Sequence, residues 1–145
     1  MILVDTNVWS ELLRPVPDQE VVAWFLEIGS GARMSAITIQ EITRGVERLP
    51  DGSRKEALRR AARKVIDQAG EPLAYDGAAA RECGALLARL ERSGTPIGGA
   101  ADAQVAATAI SLGLPVATRN TRHFTTCGLP VIDPWQTAGP ERKSG

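Results

Sequence analysis

The sequence predicts an α/β fold, a three-layer α/β/α domain whose central parallel sheet of four or five strands is covered on both faces by helices. Three observations carry that expectation. Short apolar runs, several of them β-branched, recur along the chain as strands buried on both faces should. Longer stretches with apolar residues at helical spacing lie between them. The two kinds of segment alternate, which makes consecutive strands parallel and places the helices in the crossovers.

Taken in order, Met1-Ile2-Leu3-Val4 is the first strand, and Asp5 falls where it should stop. Thr6 and Asn7 are good helix starters, and Val8, Trp9, Leu12 and Leu13 then recur at helical spacing. Pro15 and Pro17 end that helix, and Asp18 caps a strongly apolar second one that Gly29 closes. The segment from Ala32 to Ile37 reads as the second strand. Thr38 opens a helix with a stripe of Ile39, Ile42, Val46 and Leu49, and Thr38-Ile39-Gln40-Glu41 has the form of a capping box. After the turn Pro50-Asp51-Gly52, a long helix from Ser53 to Ala69 buries Leu58, Ala62 and Val65. Its remaining surface is crowded by Arg54, Lys55, Arg59, Arg60, Arg63 and Lys64, which reads as a solvated face or as a local patch that attracts phosphate.

Glu71 to Tyr75 is a weak strand, and Asp76 starts an alanine-rich helix. Ser93 to Gly99 is the longest loop-like stretch, followed by a helix from Ala100 to Leu112 that Gly113 and Pro115 stop. Val116-Ala117-Thr118 is another strand, and Leu129 to Ile132 a last edge strand, where proline is tolerated. A single domain is expected over 1–136, with 137–145 a polar tail.

The 145 residues suffice for one domain with its own core and are too few for two. Zero net charge argues against a nucleic-acid binder held by bulk positive charge. No apolar run is long enough for a membrane span, and no signal peptide is recognisable. Cys83 and Cys127 lack metal-type spacing and read as isolated thiols of a reducing compartment, so a cytoplasmic protein is expected. His123 is the only histidine, which excludes a histidine-rich metal site; a Ser-His-Asp triad would have to use it.

Candidate chemistry gathers at the carboxyl edge of the sheet, where ligands bind in open α/β folds. Asp5 ends the first strand, Glu41 lies near the start of the third helix, and Asp102 follows a glycine pair at the start of the helix from Ala100. Each has a plainer reading as a cap or a partner of the helix dipole. Asp102, however, shares a stripe with Val105, Ala106 and Ala109, and a carboxylate on a buried stripe is costly unless paired or bound to a metal. Asn120 and Thr118 sit at the end of a later strand on the same edge. Converging carboxylates repel one another. A hard divalent cation relieves the repulsion, and an all-oxygen ligand set favours Mg²⁺ or Mn²⁺. The implied chemistry is metal-assisted hydrolysis of a phosphodiester.

The whole pattern resembles the PIN-domain ribonucleases, in particular the VapC-type toxins of type II toxin–antitoxin pairs, nearest their FitB-like branch. Met1-Ile2-Leu3-Val4-Asp5-Thr6-Asn7-Val8 is similar to the family's opening strand and first acid, Ser35-Ala36-Ile37-Thr38-Ile39-Gln40-Glu41 to its second acid segment, and Ala101 to Ala109 to its third. Val116-Ala117-Thr118-Arg119-Asn120 resembles the fourth segment and Asp133-Pro134-Trp135 the usual ending. The resemblance implies a PIN-like fold, a homodimer, Mg²⁺- or Mn²⁺-dependent cleavage of RNA, and inhibition by a cognate antitoxin. Asp5 and Asp102 would be the metal ligands, Glu41 and Asn120 would complete the catalytic set, and Thr6 and Thr118 would stand on the substrate side. Trp9, Trp24 and Phe25 read as domain core or as part of the dimer interface. The family often has aspartate where this chain has Asn120, which weakens a second metal site. Other readings are a DNA-directed or RNA-maturation nuclease, and a catalytically weak partner in a DNA-bound complex.

Overall fold

A computed structural model describes residues 1–95 and 98–136. The expected polar tail at 137–145, and Pro96 and Ile97 of the long loop, lie outside the described residues. The elements are β1 (Ile2–Val4), α1 (Thr6–Leu12), α2 (Gln19–Ile28), β2 (Ala32–Met34), α3 (Ala36–Glu47), α4 (Ser53–Gln68), α5 (Gly77–Arg92), α6 (Ala100–Leu112), β3 (Val116–Ala117), α7 (Thr121–Thr126) and β4 (Val131–Ile132). The four strands form one sheet in the order β2-β1-β3-β4, with every pairing parallel. β1, which leads into Asp5, is therefore one of the two inner strands.

Alternation along so short a strand assigns the two faces. Leu3 of β1 and Val116 of β3 point into a core with Leu86, Leu90, Val105, Ala106 and Phe124. Val4 and Ala117, one residue on, point into the other core with Val8, Trp9, Val21, Trp24, Met34, Ile42 and Val46. Helices α5, α6 and α7 thus cover one face and α1 to α4 the other. α6 is buried on most sides, with Ala103, Val105, Ala106, Ala107, Thr108 and Ala109 all enclosed; small side chains let α5 and the sheet close on it.

Trp9 and Trp24 are core residues, only 5% and 4% exposed. The indole of Trp9 donates to the carbonyl oxygen of Val4 at 3.0 Å, and its ring lies 4.9 Å from that of Phe25. These aromatics hold α1 and α2 to the sheet and give no support to an interface. Exposed apolar side chains of this region are Val16 and Leu26.

Three local expectations are corrected. α3 begins at Ala36, not Thr38: Ser35 is its cap and accepts from the Thr38 N–H at 3.1 Å. The capping box therefore does not form, and Glu41 lies in the second turn, released from capping. The weak strand at Glu71–Tyr75 contributes one isolated bridge, Leu73 to Ser35, because Pro72 cannot donate to a ladder. A short helix, α7, also stands between β3 and β4. Among the described residues no helix is long and apolar enough to cross a membrane.

Candidate active site

Sheet register brings the polar residues together. Leu3 pairs with Val116 and Val4 with Ala117, so one step further Asp5 stands beside Thr118. The Asp5 N–H donates to the Ala117 carbonyl at 2.9 Å, and the Thr118 N–H to that of Ile132 at 2.9 Å, which carries the ladder past the strand ends. On the other side Val4 pairs with Met34, and the following residue, Ser35, starts α3. Both neighbours of β1 thus deliver hydroxyl-bearing residues to the edge where Asp5 ends that strand.

Asp5 is 3% exposed. Its Oδ1 accepts from the Thr6 N–H at 2.8 Å, and its Oδ2 accepts from the Thr118 hydroxyl at 2.8 Å. Burial disfavours the charged form and pushes its pKa up from 3.8 to about 6, against the opposing pull of those two hydrogen bonds; nearby Asp102 and Glu41 add to the rise. The Thr6 hydroxyl donates to Glu41 Oε1 at 2.7 Å and lies 2.9 Å from the Thr38 hydroxyl. Ser35 donates to that hydroxyl in turn at 3.3 Å. A chain of hydroxyls therefore runs beneath Glu41 from the cap of α3 to the start of α1.

Thr118 was expected on the substrate side, but its side chain is fully buried and its hydroxyl is committed to Asp5. The same oxygen accepts from the Asn120 N–H at 3.0 Å and from the Asn7 side-chain amide at 3.3 Å. It stands behind the carboxylate and fixes its orientation. Thr6 likewise spends its hydroxyl on Glu41. Thr118→Val should raise the Asp5 pKa above about 6 and destabilise the fold by about 1–3 kcal/mol, because it strands an oxygen that a buried hydroxyl now serves. NMR titration of the Asp5 carboxyl and a denaturant melt of the variant check this; an unmoved titration would mean that the hydroxyl does not reach the acid.

Asp102 occupies the first turn of α6 and is half-buried. The glycine before that helix has a steric reason. A Cβ at position 98 would lie 2.9 Å from Asp102 Oδ2 and 2.6 Å from His123 Cε1, closer than such atoms sit. His123, on α7, is spent on this loop: its Nδ1 accepts from the Gly98 N–H at 3.1 Å.

These groups open onto one cleft of about 480 Å³, lined by Asp5, Thr6, Asn7, Ser10, Glu11, Arg14, Glu41, Asp102 and Asn120. The structure thus brings Asp5, Glu41, Asp102 and Asn120 to one surface. Asn120 is exposed, at the cap position of α7, without a side-chain capping bond. Asn7 and Glu11 were missed. Asn7 joins the first and fourth segments, accepting from the Arg119 N–H at 3.3 Å. Glu11 had a signal: an acid three residues after Val8 on the buried stripe of α1, with Arg14 three residues further on. The basic run of α4 is partly neutralised, since Lys55 pairs with Glu47 and Asp51, and Arg59 with Glu47 and Glu56.

Among the described residues no cation pairs with Asp5, Glu41 or Asp102 within 4.0 Å. A buried carboxylate with two acids nearby and no cationic partner suits a hard divalent ion, and the donors are the oxygens such an ion takes. The acids are not drawn into a complete coordination shell: among the described residues no group of three histidine, cysteine or acidic side chains is close enough to hold an ion by itself. Substrate oxygens or water would have to complete the set.

A parallel-sheet α/β/α domain with an acid at the end of an inner strand, and two more acids meeting it across one cleft, has the layout of an acid-cluster nuclease. The model of the PIN domain family matches residues 2–128, and the chain belongs to that family. It is 40% identical over 141 residues to the VapC ribonuclease Y4jK of Sinorhizobium fredii, covering 95% of this chain and all of the relative. It is 39% identical over 138 residues to toxin FitB of Neisseria gonorrhoeae, covering 93% of this chain and 99% of that one. The fold superposes on the DNA-bound VapBC structure from Salmonella typhimurium with a TM-score of 0.81 at 31% identity, covering 92% of this chain and 99% of that chain.

Proposed function

We propose that this protein is a Mg²⁺- or Mn²⁺-dependent endoribonuclease that hydrolyses RNA phosphodiester bonds and acts as the toxin of a toxin–antitoxin pair. The observation that carries the reading is the convergence of Asp5, Glu41 and Asp102 on one cleft, with Asp5 buried and, among the described residues, paired with no cation. Asp5 and Asp102 would hold the ion; bound there, it supplies Lewis-acid polarisation of the phosphodiester and a lowered pKa for water. The Thr6 N–H and the Thr118 hydroxyl each donate to one oxygen of Asp5, and each of those oxygens keeps a lone pair that could bind the ion. Glu41, anchored through Thr6, orients water or takes its proton. Asn120 offers a neutral amide at the rim, which hydrogen-bonds substrate without adding to the repulsion.

The names of the relatives support RNA as substrate and toxicity as role. The VapBC neighbour is an assembly with an antitoxin on DNA, so a cognate antitoxin is the proposed partner here, in a homodimeric complex. An antitoxin arginine suits the acid cleft, because its planar fork matches carboxylates and its charge replaces that of the ion. Purified protein should cleave single-stranded RNA with Mn²⁺ or Mg²⁺ and stop when EDTA is added. Cleavage that survives EDTA would remove the metal mechanism, and cleavage of DNA alone would replace the substrate.

A further inference from the structure

Four carboxylates line the cleft, those of Asp5, Glu11, Glu41 and Asp102, and a phosphodiester must approach all of them. Among the described residues one cation shares the lining, Arg14. We propose that Arg14 is the residue that binds the RNA phosphate beside the scissile one, and that Glu11 holds it in place for that task. The proposal rests on the nuclease reading above.

Glu11 is the anchor. Its side chain is only 7% exposed, whereas that of Arg14 is 66% exposed. Arg14 Nη1 donates to both Glu11 oxygens, each at 3.3 Å. Glu11 Oε1 also accepts from the Asp18 N–H at 3.0 Å, which folds the turn after α1 back against the helix. Pro15 and Pro17 stiffen the same turn. The guanidinium is therefore held on one side by a buried acid while most of it faces solvent. One nitrogen makes the ion pair, and a guanidinium has further N–H groups in a fixed plane for a phosphate.

Glu11 serves the fold through the Asp18 N–H, but an ion pair three residues apart to a largely exposed arginine adds little to stability, so folding does not require the contact with Arg14. Position explains it. Arg14 lines the acid cleft and also the adjoining groove between α1, α3 and α4, which it shares with Ser10, Leu13, Glu41 and Arg54. A strand entering the cleft from that groove passes Arg14 before it reaches Asp5. There the cation offsets the repulsion that a phosphate meets from Glu41 and the other acids of the cleft, and it sets the register of the strand against them.

The test is the salt dependence of RNA binding. A fluorescent single-stranded oligonucleotide of about ten residues, long enough to cross the cleft and groove, is titrated in increasing KCl against Asp102→Asn protein with and without Arg14→Gln. Each phosphate contact adds about 0.7 to the slope of log affinity on log salt for a single strand, so Arg14→Gln should lower the slope by about that amount. Arg14→Lys, which keeps the charge, should retain most of it. In the cleaving protein, Arg14→Gln should raise KM about tenfold with kcat little changed, the signature of lost ground-state binding. Glu11→Gln should move KM in the same direction but less. RNA cleavage by the wild type together with a slope unchanged by Arg14→Gln overturns this proposal alone. A slope lost in a protein that cleaves no RNA overturns the nuclease reading and leaves Arg14 as a phosphate ligand.

Discussion

Asp102→Asn should lower RNA cleavage by about two to three orders of magnitude while leaving the melting temperature within a few degrees of wild type. The expected loss follows from the chemistry assigned to the cleft. A divalent ion stabilises transition-state charge by several kcal/mol, and each 1.36 kcal/mol is about tenfold in rate. An amide in place of the carboxylate keeps the volume but removes one unit of the charge that holds the ion. The fold should tolerate it, because Asp102 is half-buried, lies in the first turn of α6 and pairs with no cation among the described residues. Single-turnover cleavage of an RNA oligonucleotide, a calorimetric Mn²⁺ titration and a thermal melt together check it. Full activity in a folded variant would make the Asp102 carboxylate structural and remove its assignment as a ligand of the ion.

The metal-free protein should lose stability as pH rises from about 4 to above 6, and Asp5→Asn should abolish that loss. Asp5 has a pKa of about 6 when folded, against an ordinary value of 3.8. Below about pH 4 the group is protonated in both the folded and the unfolded chain and carries no penalty. As pH rises through 6, the folded state must ionise a buried carboxyl that the unfolded chain ionises freely in water, so stability present at low pH is lost. A shift of this size corresponds to about 3 kcal/mol at neutral pH. Asparagine at this position keeps one acceptor oxygen for the Thr6 N–H or the Thr118 hydroxyl and carries no charge to bury. Asp5→Asn should therefore raise the melting temperature of EDTA-treated protein at pH 7.5, by on the order of 10 °C for a chain of this size, while eliminating cleavage. Melts of both proteins from pH 4.5 to 8 decide it; curves that stay parallel would show that Asp5 is not the source. Metal binding near pH 6 should also release protons, since the ion requires the charged form.

Stability and function thus oppose each other at one residue. Asp5 ends a strand buried on both faces, where burial makes its charge expensive, and no cation among the described residues pairs with it and takes up that charge. Hydrogen bonds from Thr118 and Thr6 moderate the cost without removing it. The same logic explains why Glu41 is held by a hydroxyl chain and not by a lysine or arginine: a cation there would satisfy the acid and close the cleft.

Much of this protein was legible in the sequence because the informative signals are local. A strand of three or four apolar residues must stop somewhere, and the residue that follows it lies at the carboxyl edge whatever the rest of the fold does. Asp5 is placed by that reasoning, as are the alternation of elements and the parallel sheet. Asp102 was placed by its own helix, whose alanine-rich, glycine-flanked start is visible in the chain. What only the tertiary structure decided is how these segments meet. Two hydroxyl residues, Ser35 and Thr38, compete to cap α3, and the bridge from Leu73 to Ser35 fixes the backbone there; the choice of Ser35 frees Glu41 from a capping box to meet Thr6. Thr118 reads as a residue at a strand end near the substrate. Only the register of β1 against β3 turns its hydroxyl inward onto Asp5. The spacing of Glu11 from Val8 hints that it is buried, but only the packing of α1 shows it enclosed and paired with Arg14, which stays in water. Sequence patterns report which residues share an element, since that depends on spacing along one chain; which carboxylate a hydroxyl serves depends on distances between segments far apart in sequence, and packing of the two cores sets those.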